Sequence, residues 1–535
     1  MSGAREETPT DHGFAAATEN ASLRKGDMRN LVKRGLTLAL AGALVSASPA
    51  AAGAATGTVR PSSDDLKADL DQILSDSRLT GASVGLIVRD AQSGAVLYDH
   101  DSSTQETPGS NNKLETSTAA FGLLGSDYRF HTKVAIGNGN LYLKGTGDPT
   151  MRAQEYDALA AAVAAKGVTK VTGDLVADDT WFDSERTAPD WDPSDLPYSY
   201  AAGISALTVS PDDVYDIGSI GVDITPGATG EPVKVAVSPQ TSVIKIDNEA
   251  VTGAAGSAST LSVDRVNGTN VVKVTGSYPA DGAESDHLTT APDPTMYAAD
   301  VFRRALEAHG VEVDGTTTEA ATPSTAKVLT DRQSIPLSQI ATPWLKLSNN
   351  QITETVVKAI GRKVSGAGTW DAGLAAVTAY LKSHGVDTSQ IKLTDGSGLS
   401  ATNKTTPQQI TNVLKSARTQ SWFGTWYNAL PIAGEPDPLV GGTLASRMTG
   451  TPAADNLHGK TGTLTGVTAL SGYITDPNGE KLIFSSMFNG YQGGAPKDIE
   501  DKIAIRLAGG STAAVNAVRR APSGQNLECS WTKSC

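Results

Sequence analysis

Apolar and polar positions alternate with a period of two at both ends of the chain, the spacing of a half-buried strand. Ser83-Val-Gly-Leu-Ile-Val-Arg89 passes through a turn-rich stretch, 90–94, into Ala95-Val-Leu-Tyr98. Far downstream, Thr468-Ala-Leu-Ser-Gly-Tyr-Ile474 passes through Asp476-Pro-Asn-Gly479 into Lys481-Leu-Ile-Phe-Ser485. Each pair predicts a β-hairpin, and strands from opposite ends of a chain often meet in one sheet. Helical spacing appears at 66–73, 352–360 and 369–384, the last two ending near a glycine. Between about 129 and 331 the texture changes to short β-like runs (233–237, 271–274) separated by Gly, Thr, Ser and Asp. One clear helix is predicted there, 294–309, with Ala298, Val301, Phe302, Ala305 and Leu306 on one face and Gly310 as its stop. That middle region reads as an insertion, and the chain shows no internal repeat.

The N-terminal stretch reads as a targeting segment rather than as part of the fold. Arg29, Lys33 and Arg34 precede an uncharged run, 35–45, and then the small-residue segment 46–55. This predicts a signal peptide cleaved near Ala52 or Ala54, with Met28 a candidate start because residues 1–27 are polar. A membrane anchor is the weaker reading, since the apolar run is about half the ~20 residues a spanning helix needs. The 535 residues leave room for several domains, and a net charge of −14 argues against nucleic acid or an anionic membrane as partner. Cys529 and Cys535, the two cysteines, are expected to close a small tail loop; free or intermolecular thiols are the alternative. The seven histidines are scattered without a ligand spacing, so neither a metal nor another cofactor is indicated.

Three short elements carry chemistry. Ser110-Asn-Asn-Lys113 precedes the helix-like 114–124, which sets the lysine one turn from the serine on the same face. A neutral amine there can take the hydroxyl proton as serine attacks a carbonyl, and a helix N-terminus leaves N–H groups for the oxyanion. The spacing is weak alone, because Ser22, Ser242, Ser324, Ser389 and Ser530 also have a lysine three residues on. Ser324 is the most serious rival, but Pro323 precedes it and a strand is expected after it, with no helix to present Lys327. The second element, Ser348-Asn-Asn350, can point a hydroxyl and an amide into a cleft, or it can cap the following helix. The third, His458-Gly-Lys460-Thr-Gly-Thr463, sits before the late hairpin and hence on an expected edge strand. Lys460 offers charge to a carboxylate, Gly462 permits close approach, and Thr463 can donate through its hydroxyl and backbone.

In this order the three elements resemble those of the serine acyl-transferases of the penicillin-binding and β-lactamase group. Similar pieces also include Leu123-Leu-Gly-Ser-Asp-Tyr-Arg-Phe130, Leu143-Lys-Gly-Thr-Gly-Asp-Pro149, Gly173-Asp-Leu-Val-Ala-Asp-Asp179, Asp395-Gly-Ser-Gly-Leu-Ser400 and Gly441-Gly-Thr-Leu444. With these the chain resembles peptidase family S13, the class C low-molecular-mass penicillin-binding proteins, over about residues 75 to 510.

The resemblance implies an α+β multidomain protein. A transpeptidase-like domain with a five-stranded antiparallel sheet (62–128 and 332–512) would be interrupted by two inserted, mainly β domains (129–331), with a tail at 513–535. It implies a D-alanyl-D-alanine carboxypeptidase, with D,D-endopeptidase cleavage as a further option, acting on peptidoglycan stem peptides and covalently inhibited by β-lactams. Carried over by motif, Ser110 would form the acyl-enzyme, Lys113 act as base and Ser348 pass a proton to the leaving D-alanine. Asn350 would hold the substrate amide, Lys460, Thr461, Gly462 and Thr463 would receive the carboxylate, and the N–H groups of Ser110 and Thr463 would form the oxyanion hole. The inserted region would supply an aromatic and acidic edge for the free amino end of the peptide side chain, with Trp191, Asp195 and Tyr198 or Tyr200 as candidates. Pro108-Gly109 stands where the family usually has Pro-Ala, which is expected to loosen the turn without changing the geometry. A β-lactamase is the second reading, although no Glu-x-x-Leu-Asn segment lies between the first two elements. A non-catalytic penicillin-binding sensor is the third. The expected product is exported, extracellular or wall-associated, with no stable membrane anchor.

Overall fold

The computed structural model describes residues 63–517. The signal-like segment, Ser22, Ser530, Cys529 and Cys535 lie outside the described residues. Numbering only the elements of the split domain, its first part contains α1 (Ser63–Leu74), β1 (Ser83–Asp90), β2 (Val96–His100) and α2 (Asn112–Leu123). Its second part contains α3 (Leu337–Lys346), α4 (Asn350–Ser365), α5 (Trp370–Ser383), α6 (Pro407–Ala417), β3 (His458–Leu464), β4 (Val467–Thr475), β5 (Lys481–Asn489) and α7 (Lys497–Leu507).

The two predicted hairpins form one antiparallel sheet in the order β3-β4-β5-β1-β2. Its central join is β1 against β5, with Ile87 opposite Ser485. Both faces are covered over the middle of the sheet, so β3, β4 and β5 are buried along nearly their whole length, whereas the edge strand β2 is largely exposed. Leu86, Val88, Leu470, Ile474, Leu482 and Phe484 pack on the side of α1 and α7, with Leu70, Ile499 and Ile503. The alternate residues Ala469, Tyr473, Ile483 and Met487 join Leu114, Phe121, Trp344, Val356 and Trp426 on the other side. Each fully buried Leu, Ile or Phe contributes roughly 1.5–3 kcal/mol of transfer free energy, and a one-residue slip would exchange these two sets.

The inserted region leaves and re-enters this domain side by side, because strand His131–Gly137 pairs with strand Lys327–Gln333 and places His131 opposite Gln333. These two belong to a mixed five-stranded sheet with Asn140–Gly145, Leu175–Asp178 and Thr317–Glu319. Beyond it lie smaller sheets, among them Ser219–Thr225 with Lys234–Ser238 and Ser285–Thr290. Helix Pro294–Ala308 matches expectation, capped by Asp293 with Pro294 in its first turn. A second helix, Ala153–Ala165, was not expected. Alanine fills seven of its 13 positions, which weakens the apolar-polar contrast, and only Tyr156, Leu159, Ala160 and Val163 are buried. It packs on the first helix through Tyr156 and Phe302, whose rings lie 6.2 Å apart.

Candidate active site

Ser110 sits in a single 3-10 turn, Gly109–Asn111, that runs straight into α2. The turn keeps Ser110 and Lys113 adjacent: Lys113 Nζ lies 2.9 Å from Ser110 Oγ. Lys113 is fully buried, and its amine also donates to Asn350 Oδ1 at 2.6 Å and to the Ser397 carbonyl at 2.8 Å. Gly109 adopts φ +51°, a conformation that L side chains rarely take, and an added Cβ would stand 3.1 Å from Thr463 N. The glycine therefore fits the turn rather than loosening it.

Of the rival serines, Ser324 and Lys327 are both exposed, and Lys327 opens the edge strand Lys327–Gln333. Ser242 and Ser389 are exposed as well. Lys245 opens a strand, whereas Lys392, expected to run into one, makes only an isolated bridge to Lys404.

At the second element all three residues line the cleft, and one of them also caps the helix. Asn349 caps α4, its Oδ1 accepting from Ile352 N–H at 2.9 Å. Ser348 and Asn350, on either side of this cap, carry no capping bond and line the cleft beside it. Ser348 has φ +57°, a left-handed conformation that costs a non-glycine residue about 1–2 kcal/mol. It brings Ser348 Oγ within 2.8 Å of Lys460 Nζ, which is fully buried and also donates to the Thr461 carbonyl at 2.8 Å. Asn350 Nδ2 donates to the Tyr200 carbonyl at 2.9 Å, tying the inserted region to the residue that holds Lys113.

Strand β3 is the edge strand of the sheet, as expected, and packs against the Ser110 turn. An added Cβ at Gly462 would lie 2.5 Å from the Pro108 carbonyl and 3.0 Å from Ser110 N, so only glycine allows this approach. Thr463 lies on the cleft wall. Thr461 is buried, and its hydroxyl donates to Thr443 Oγ1 at 2.8 Å. Burial pushes the His458 imidazole down to about 4, although its contact with the Tyr427 carbonyl acts the other way, so it stays neutral near pH 7; its ring stacks on that of Tyr427.

These residues open onto a cavity of about 190 Å³ walled by Ser110, Ser348, Asn350 and Thr463 on one side and by Asp192, Asp195, Tyr200 and Asp216 on the other. Tyr200 Oη donates to Asp195 Oδ1 at 2.9 Å, and the Tyr198 ring stacks on Tyr200 with centroids 5.6 Å apart. Trp191, expected on this edge, is not on the cleft wall. It is 5% exposed, packs against Trp370, and its Nε1–H donates to Asp395 Oδ2 at 2.9 Å. The indole is the buried anchor of the 190–200 loop, with Leu196 and Tyr200 packed beside it, so it points into the protein while its acidic neighbours face the cleft.

Three supporting residues received no role from the sequence, although Asp395 and Gly398 lie in one of the segments that carry the resemblance. Asp395 accepts from Gly398 N–H, Ser400 N–H and Asn403 Nδ2, which folds the 395–400 segment into a tight loop. Gly398 has φ +84°, and an added Cβ would collide with the Gly109 carbonyl at 1.9 Å, so the loop lies directly against the Ser110 turn. Glu354, one helical turn beyond Asn350, accepts from Ser397 N–H at 2.7 Å, Gly396 N–H at 3.0 Å and Trp370 Nε1–H at 2.8 Å. Burial raises its carboxyl to about 7, with the charge of Asp395 adding to the effect. Its spacing of four from Asn350 was the available signal. Through Ser397, this buried acid fixes the carbonyl that holds Lys113.

The sequence matches the model of the D-Ala-D-Ala carboxypeptidase 3 (S13) family over residues 66–509. It is 47% identical over 509 residues to a D-alanyl-D-alanine carboxypeptidase of Actinomadura sp. (strain R39), covering 92% of this chain and 94% of that one. Among solved structures, penicillin-binding protein 4 (dacB) from Haemophilus influenzae superposes with a TM-score of 0.71 at 26% identity, over 83% of this chain and 98% of that one. The same Haemophilus protein complexed with a β-lactam superposes with a TM-score of 0.65 at 25% identity, over 82% and 98%. With the fold, the order of the three elements and the family match in agreement, the chain belongs to the S13 family of serine D-Ala-D-Ala carboxypeptidases.

Proposed function

We propose that Ser110 attacks the carbonyl of the penultimate D-alanine of a stem peptide, releasing the terminal D-alanine and forming an acyl-enzyme that water then hydrolyses. The observation that carries this reading is the amine of Lys113. Two of its contacts are carbonyl acceptors, from Asn350 and Ser397. In a neutral amine those two consume both N–H bonds and leave the lone pair facing the Ser110 hydroxyl, 2.9 Å away. Lys113 then takes the hydroxyl proton as the bond to the carbonyl carbon forms. Ser348, hydrogen-bonded to Lys460, gives its hydroxyl proton to the leaving amine and recovers one from the protonated Lys113, which returns to the neutral form. Asn350 orients the substrate amide. Lys460 supplies positive charge for the terminal carboxylate, beside Thr461, Gly462 and Thr463. The oxyanion is received by the N–H groups of Ser110 and Thr463.

The acidic wall formed by Asp192, Asp195 and Asp216 favours a side chain that ends in a cation. A free amine on the stem peptide meets that requirement, and a cross-linked peptide offers the same D-alanyl bond for endopeptidase cleavage. Export to the wall is supported by the charged, apolar and small-residue succession at 29–55. No helix among the described residues is long and apolar enough to cross a membrane.

A β-lactam places its strained amide where the peptide bond would lie, so fluorescent penicillin is the direct test. Wild-type protein and Ser324→Ala should be labelled and Ser110→Ala should not. Label persisting in Ser110→Ala would overturn the assignment of the nucleophile. Rapid loss of label with turnover would favour a β-lactamase, and a stable label without D-alanine release would favour a sensor.

A further inference from the structure

A second cavity, about 490 Å³, lies between the five-stranded sheet of the inserted region and the C-terminal half of α4. Arg362 is 12 residues along α4 from Asn350, about 18 Å at the rise of an α-helix, so this cavity is separate from the cleft. Its chemistry is the reverse of the cleft's. Arg129, His131, Lys133, Lys144, Arg362 and Lys363 line it, and no carboxylate does. In a chain of net charge −14 such a concentration of cations needs a cause.

The cause lies in the strand alternation. Arg129, His131 and Lys133 occupy every second position, while Phe130, Thr132 and Val134 between them are buried. Pairing of the two strands sets Lys133 directly opposite Lys144, a like-charge juxtaposition that is unfavourable by itself. Two carboxylates offset part of the charge. Asp331 lies 2.9 Å from His131 and 3.5 Å from Lys133, and Asp178 lies 2.7 Å from Lys144. Arg129, Arg362 and Lys363 have no carboxylate partner among the described residues. Arg362 and Lys363 do favour the C-terminal end of the α4 dipole, but that accounts for neither Arg129 nor the facing lysines. Aromatic surface accompanies the charge: Trp181 and Tyr128 line the same cavity, and the Arg362 guanidinium lies 4.5 Å from the Trp181 ring centroid.

We propose that this cavity binds a sugar phosphate, either as a free small molecule or as a unit of a phosphate-bearing glycan. Cations approach from two walls, the sheet face and the helix face. A tetrahedral phosphate presents oxygens in several directions and can meet both, whereas a planar carboxylate pairs best with a single guanidinium fork. The aromatic rings suit the carbon face of a sugar, and the volume lies within the range of small-ligand sites. As part of a polymer, such a ligand would hold the enzyme beside its substrate without touching the cleft.

Calorimetric titration of the full chain at low ionic strength with N-acetylglucosamine 1-phosphate, and with a phosphodiester-linked oligomer of it, tests the assignment. Binding is expected, weakening as salt is added. Lys363→Gln, at an exposed position, should weaken it several-fold. The triple variant Arg129→Gln, Arg362→Gln, Lys363→Gln should weaken it by roughly 100-fold or more, with D-alanine release unchanged as proof of folding. Equal affinity for monomer and oligomer points to a free sugar phosphate, and a large gain with the oligomer points to a polymer. The proposal fails if wild-type protein binds neither, if unphosphorylated N-acetylglucosamine or glucuronate binds as tightly, or if Lys363→Gln and the triple variant bind like wild type.

Discussion

The cleft has one wall from the split domain and one from the inserted region, and the two differ in burial and in charge. On the first, Lys113 and Lys460 are fully buried and their amines are hydrogen-bonded to oxygens of the site. On the second, Asp192 is exposed and Asp195 half-buried, on a loop anchored by the buried Trp191 with Leu196 and Tyr200 packed beside it. Buried cations in fixed hydrogen bonds are suited to moving one proton between set atoms. Exposed carboxylates on a loop are suited to attracting a charged group without fixing its position. The two walls are nonetheless joined by several hydrogen bonds, among them Asn350 to the Tyr200 carbonyl, Asn349 to the Tyr215 carbonyl and Trp191 to Asp395.

Breaking the first wall should have the largest effect. Lys113→Ala removes the base and should slow acylation by penicillin and peptide alike by roughly 10³-fold, read by rapid-quench labelling. Breaking the join should cost less but act equally on both substrates. Trp191→Phe removes a buried donor from the Asp395 carboxylate, so it should destabilise the protein by about 1.5–3 kcal/mol in urea unfolding and slow both acylations about tenfold. If Trp191 instead acted in recognition, penicillin labelling would be unchanged and only peptide cleavage would suffer. Breaking the second wall should touch recognition alone. Asp195→Asn should lower kcat/KM about fivefold for a peptide whose side chain ends in an amine, on the scale of a partly exposed ion pair, and leave penicillin labelling unaltered.

The smallest effect concerns pH. Glu354, raised to about 7 by burial, keeps its proton in the fold between about pH 4.5 and 7 while the unfolded chain has released it. Unfolding free energy should therefore fall as pH rises through that window. Glu500, raised to about 7, and Glu115, raised to about 8, act in the same sense. Glu354→Gln should flatten the decline in part, measured as urea midpoints at pH 5 and pH 8.

The fold was legible where periodicity was strong. Both hairpins, the edge strand with Lys460 and the capped helix after Asn349 follow from alternation, turn residues and capping chemistry. Helix Ala153–Ala165 did not, because a run of alanines carries little contrast between its faces. The residues of the site were legible as three short elements, since each pairs a reactive group with the residue that lets the chain approach it. Glu354 and Asp395 were not, because their work is done through backbone N–H groups of a loop remote in sequence. Trp191 was misplaced for a related reason: its sequence neighbours Asp192 and Asp195 do face the cleft, and alternation in an irregular loop does not reveal which side chain turns inward.

Release of D-alanine from a peptide ending in D-alanyl-D-alanine, by wild-type protein and by Ser110→Ala at equal concentration, tests the central claim most directly. The geometry around Lys113 predicts steady release by the wild type and none above background from the variant. Release by Ser110→Ala at the wild-type rate, or none from a wild-type protein that penicillin still labels, would contradict it.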